Sequence, residues 1–115
     1  MSARPATLLV LCFLAVPLVV LATAAQGEDS GPELRFENHR FAPQMLTVPA
    51  GHPLVLRVIN ASQETIEFES FQLHREKVIE PEQTITVHLP PLSPGTYDFY
   101  DDFHQDVPEG SLIAQ

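Results

Sequence analysis

Past residue 25 the chain contains no cysteine; its single one, Cys12, lies in an uncharged apolar stretch near the N-terminus. That absence excludes a disulfide framework, a thiolate metal ligand and a thiol nucleophile from everything that follows. Basic residues are scarce as well, 6 Lys+Arg against 15 Asp+Glu in 115 residues, for a formal net charge of −9. Arg4 is the lone charged residue among the first 25, so the remainder carries one more negative charge than the whole. An anionic surface repels phosphate backbones and anionic headgroups, which argues against nucleic acid as a partner and for metal cations or basic protein surfaces. Also missing are a glycine-rich phosphate loop and an HExxH pattern. Ser62, Ser70, Ser93 and Ser111 stand in no recognisable Ser/His/Asp arrangement, so hydrolase chemistry is not expected. Long helical periodicity is lacking too, and eleven prolines work against it.

What is present begins with residues 6–22, ATLLVLCFLAVPLVVLA, preceded by Arg4 and followed by Thr23, Ala24 and Ala25. A basic start, an apolar centre and small residues, in that order, make a secretory signal peptide. As a membrane anchor, an apolar run of this length broken by Pro17 barely reaches across the hydrocarbon core. The expected organisation is a signal peptide over 1–25, cleaved near Ala24/Ala25, a linker over 26–32 and one domain over 33–115. Such a domain is exported to the periplasm and stays out of the membrane once the signal is removed. Val10 and Leu11 ahead of Cys12 are too large for a lipid-attachment site.

From residue 34 onward, apolar side chains recur with period two in short runs bounded by Pro, Gly and Asn. The runs 34–37, 45–48, 54–59, 65–69, 84–89, 96–100 and 111–114 read as strands rich in β-branched and aromatic residues. About seven such strands predict an all-β Greek-key sandwich with antiparallel pairing. Residues 71–80, FQLHREKVIE, leave room for a helical turn.

Two segments carry chemistry. In Glu64-Thr65-Ile66-Glu67-Phe68-Glu69, a strand puts Glu67 and Glu69 on one face, roughly 7 Å apart, with Ile66 and Phe68 on the other. Two carboxylates so placed repel unless a cation sits between them, either a metal ion or a side chain of the following His74, Arg75 and Lys77. In residues 97–110, a strand runs into a loop holding several carboxylates and the imidazole of His104. Imidazole suits Cu, Zn and Fe, whereas carboxylates are hard oxygen donors. His39 and His52 read as exposed turn residues, and His88 sits unclustered in a strand. His74 and Met45 stay open as contributors, although a Met near a strand start more often fills a core gap.

With their flanks, these segments resemble a cupredoxin. The stretch FxPxxLxVPAGxPLxLxVxN, from Phe41 to Asn60, is similar to the first strands of that family, and LxPGTYxFY, from Leu92 to Tyr100, to its last hairpin. The resemblance implies a mononuclear copper held by a His after the central strand and by Cys, His and Met from the last loop. Here Asp101 stands at the Cys position, His104 at the His, Glu109 at the usual axial Met, and Glu67 or Glu69 at the upstream His. Without the copper–thiolate bond, a type 1 copper site is excluded. The EFES and HREK segments resemble the EfeO-type branch, small periplasmic proteins found beside a membrane iron permease and its periplasmic iron-binding protein. That resemblance implies an accessory of iron uptake that binds copper(II) or iron through Glu67, Glu69, Asp101 and His104, with Glu109 as a further oxygen donor. Two rivals remain at this point: a metal-free scaffold that docks on a membrane transport complex, and copper-assisted oxidation of ferrous iron.

Overall fold

The computed structural model describes residues 2–6 and 31–115. The apolar centre of the expected signal peptide and the linker as far as residue 30 lie outside the described residues. Nine strands follow one another: β1 (Glu33–Glu37), β2 (Arg40–Ala42), β3 (Met45–Val48), β4 (Leu54–Asn60), β5 (Ile66–Ser70), β6 (Arg75–Ile79), β7 (Thr84–Leu89), β8 (Gly95–Asp101) and β9 (Gly110–Ala114). They form two sheets, ordered β2-β1-β4-β7 and β3-β9-β8-β5-β6. No helix occurs among the described residues. The all-β sandwich is as the sequence predicts.

Two strands exceed the expected set, and both shape the candidate site. β2 closes a hairpin with β1 through a loop of two residues, Asn38 and His39, flanked by the Glu37–Arg40 pair. Both loop residues have positive φ, 54° and 59°, the twist-matched turn that Asn favours. β6 replaces the helical turn expected within 71–80. A turn over 71–74, with His74 at φ 54°, returns the chain along β5. β6 is an edge strand whose only buried residue is Ile79, so its charged alternation shows little apolar period and guards the edge against stray pairing.

Pairing is mixed rather than antiparallel throughout. β1 runs parallel to β4, with Leu34 opposite Val58, and β3 runs parallel to β9, with Leu46 opposite Leu112. After the β1–β2 hairpin the chain crosses to the other sheet as β3 before returning as β4, so β4 reaches β1 from the same end. Alternation then sends Leu34, Phe36, Leu56, Val58, Ile66, Phe68, Phe99 and Leu112 into the space between the sheets, all fully buried. Phe41 of β2 sits among the aromatics, edge-on to Phe36 at 5.1 Å, Phe99 at 5.2 Å and Phe68 at 6.4 Å. Such edge-to-face packing adds to the burial term and fixes the hairpin that carries His39.

The same ring explains a glycine. A Cβ on Gly110 would fall on the ring of Phe99 and within 2.9 Å of the Gln44 carbonyl oxygen. Because neither the core ring nor the backbone can yield freely, Gly110→Ala should cost about 2 kcal/mol or more. A urea midpoint unchanged from wild type would contradict this.

Candidate metal centre

Strand alternation places Glu67 and Glu69 on the outer face of β5, and the β5–β6 register sets Glu76 directly opposite Glu69. One oxygen from each of Glu67, Glu69 and Glu76 lies within 4.8 Å of the other two. Glu67 is only 6% exposed, and its Oε1 is buried without a hydrogen-bond partner. Burial, followed by the Glu76 hydrogen bond and the charges of Glu76, Asp102 and Glu69, pushes the Glu67 carboxyl up to about 7. The Tyr100 hydroxyl is also raised, by burial and by a hydrogen bond with Glu69. Among the described residues no ion pair neutralises this set. Arg75 directs its guanidinium to the backbone oxygens of Leu73, His74 and His88 instead. The solvated acidic face balanced by Arg75 is therefore not what forms.

His74 lines a shallow groove with Glu69, Phe71 and Glu76. Met45 is 66% exposed rather than filling a core gap. His52 and His88 are exposed, and Glu109 lies across a separate groove with Tyr100, Asp101 and Gln105.

Asp101 and His104 belong to a second cluster. Asp101 is 1% exposed, and its Oδ1 accepts from the backbone N–H of Glu67 and of Phe103, each at 3.0 Å. Its Oδ2 lies 2.7 Å from His104 Nδ1. Both oxygens are thus engaged in fastening the end of β8 to the start of β5 and in holding the His104 ring. The outer edge of that ring faces His39, the centroids 5.8 Å apart. His39 Nε2 lies 2.7 Å from Asp106 Oδ2, and its Nδ1 lies 3.4 Å from Glu64 Oε2. These bonds raise the His39 imidazole above its ordinary 6.5 and lower Asp106 below its usual carboxylate range. The structure thus groups Glu67 and Glu69 with Glu76, and groups Asp101 and His104 with His39, Glu64 and Asp106. The Asn38-His39 turn dipeptide was the signal that could have found His39. Glu76 carried none, because its place depends on cross-strand register.

The family model for the cupredoxin-like domain matches residues 10–114. The chain belongs to the cupredoxin-like domain family. An uncharacterized protein of Rickettsia prowazekii (strain Madrid E) is 32% identical over 113 residues, covering 93% of this chain and 90% of that protein. Among solved structures, amicyanin from Paracoccus versutus superposes with a TM-score of 0.62 at 15% identity, covering 79% of this cupredoxin-like chain and 87% of amicyanin. The metal-binding domain of the Cu(I)-exporting P-type ATPase CopA of Streptococcus pneumoniae D39, with Cu(I), gives 0.60 at 15% identity, covering 72% and 82%. These likenesses establish the fold. The donors are this cupredoxin-like chain's own: with no cysteine past residue 12, its site does not fit type 1 copper.

Proposed function

We propose that this is an exported, periplasmic metal-binding cupredoxin-like protein of the EfeO-type branch, an accessory of iron uptake that holds iron or copper(II) on Glu67, Glu69 and Glu76. The observation that carries the reading is the buried, unpartnered Oε1 of Glu67 beside two further carboxylates. A buried carboxylate oxygen without a partner is costly and rare in a native fold, and a cation between three acids removes both the lost hydrogen bond and the mutual repulsion. All-oxygen donors favour hard ions, which ranks iron above copper at this set. The copper-bound state of the CopA domain supports metal binding as a use of the fold. The partners this reading names are a membrane iron permease and its periplasmic iron-binding protein, met through the anionic surface. A redox role in oxidising ferrous iron is a separate matter that the same preparation can address by stopped flow.

The test is anaerobic calorimetry with Fe(II) and with Mn(II), a redox-stable probe for the same hard donors. With His39→Ala as the common background, so that the imidazole cluster does not contribute, the protein should bind one equivalent of either ion, and adding Glu76→Gln should weaken that binding by more than about 100-fold, beyond the loss usual for groups that only orient a ligand. Equal affinity and stoichiometry in the two proteins would reject the carboxylate set as the site.

A further inference from the structure

The second cluster has the anatomy of a different kind of site. Metal-binding imidazoles characteristically direct one ring nitrogen at the ion and give the other to a carboxylate that fixes tautomer and orientation. His104 has its Nδ1 on the buried Asp101 carboxylate at 2.7 Å, and His39 has its Nε2 on Asp106 at 2.7 Å. The remaining nitrogen of each ring turns toward the same third side chain. His104 Nε2 lies 4.0 Å from Glu64 Oε1, and His39 Nδ1 lies 3.4 Å from Glu64 Oε2.

We propose that His39 Nδ1, His104 Nε2 and the Glu64 carboxylate form a second metal site, separate from the carboxylate set, that takes a nitrogen-preferring divalent transition metal, Cu(II) foremost. Two imidazoles and one carboxylate suit such an ion, and Cu(II) stands highest in the general affinity order. Each ligand is carried by a part of the fold that is already fixed. His39 occupies the tip of the β1–β2 hairpin pinned by Phe41. Glu64 precedes β5 in a loop tied down by Asn60, whose fully buried side-chain amide donates to the Glu64 carbonyl at 2.7 Å and to those of Ile79 and Glu80. His104 is held by Asp101, whose side chain has no exposed surface. The three side chains themselves keep 28–43% of their surface exposed, so an ion can enter from solvent. Bonds of about 2.0 Å require the three side chains to turn inward from their present 3.4 and 4.0 Å spacings. Asp101 and Asp106 are positioning residues here rather than ligands.

The experiment is Cu(II) titration followed by electron paramagnetic resonance, with Glu76→Gln as the background so that the carboxylate set is weakened and the imidazole site fills first. One Cu(II) should bind with nitrogen hyperfine structure from two imidazoles. Adding His39→Ala should weaken it about 100-fold or more and leave at most one nitrogen in the spectrum. Asp106→Ala should keep the two-nitrogen spectrum and lose about 10–100-fold in affinity, a pattern that a merely structural role would not produce. A Cu(II) spectrum without nitrogen, or one indifferent to His39→Ala in a protein whose circular dichroism matches wild type, would overturn the site. Because iron binding at the carboxylates is measured with His39→Ala in the background and Cu(II) binding at the imidazoles with Glu76→Gln, either site can fail without the other.

Discussion

Glu67→Gln is expected to make the metal-free protein more stable than wild type above neutral pH, by a margin that grows from pH 4.5 to 7 and then levels. The folded protein holds the Glu67 proton to about pH 7, whereas an unfolded chain releases it near 4.5. Folding therefore takes up a proton across this window. The stabilisation from that carboxyl is complete below 4.5 and is lost as pH rises through 7. Glutamine keeps the shape and offers an N–H to Glu76 without acquiring charge. The gap between the two urea-derived stabilities should widen with a limiting slope of about 1.4 kcal/mol per pH unit inside the window. Comparing the two proteins removes the other carboxylates common to both. A parallel pair of pH profiles would show that Glu67 ionises without hindrance, and the strain argument for a bound cation would go with it. In wild type, a saturating hard cation should close the gap at pH 8, and binding below pH 7 should release about one proton.

The parts of this site that the sequence displays are those set by local periodicity. Glu67 and Glu69 share a face because strand side chains alternate, and Asp101 and His104 lie close because they stand three positions apart around a turn. What it hides depends on register and crossover. Glu76 meets Glu69 only because the turn over 71–74 aligns β6 with β5 residue for residue, and an edge strand of charged residues resembles a solvated helical turn in composition. His39 looked like a surface turn residue, which it is. Its significance comes from the hairpin tip landing against the loops that carry Glu64 and His104, a long-range placement. The parallel β1–β4 and β3–β9 pairs were equally invisible, because apolar alternation is the same whichever direction a neighbour runs. The all-β sandwich survived these omissions, since burial of alternate side chains does not require knowing the order of strands.

Asp101→Ala should destabilise the protein by about 3 kcal/mol or more, the cost of leaving the Glu67 and Phe103 N–H groups without an acceptor where water scarcely reaches. Asp101, expected from the cupredoxin resemblance to be a metal ligand, acts here as a clamp: one carboxylate fastens two backbone donors and orients an imidazole. Asp101→Asn separates those tasks. Its amide oxygen still accepts from both backbone groups, so most of the stability should remain. Its NH2 group, however, must donate to His104 Nδ1, which moves the imidazole proton to Nε2, the atom the second metal site requires. Asp101→Asn should therefore fold nearly as stably as wild type, judged by urea midpoint, while binding Cu(II) at the histidine cluster at least about 10-fold more weakly. An alanine variant as stable as wild type would mean that the β8–β5 fastening is redundant. An asparagine variant with undiminished Cu(II) affinity would mean that His104 does not bind through Nε2.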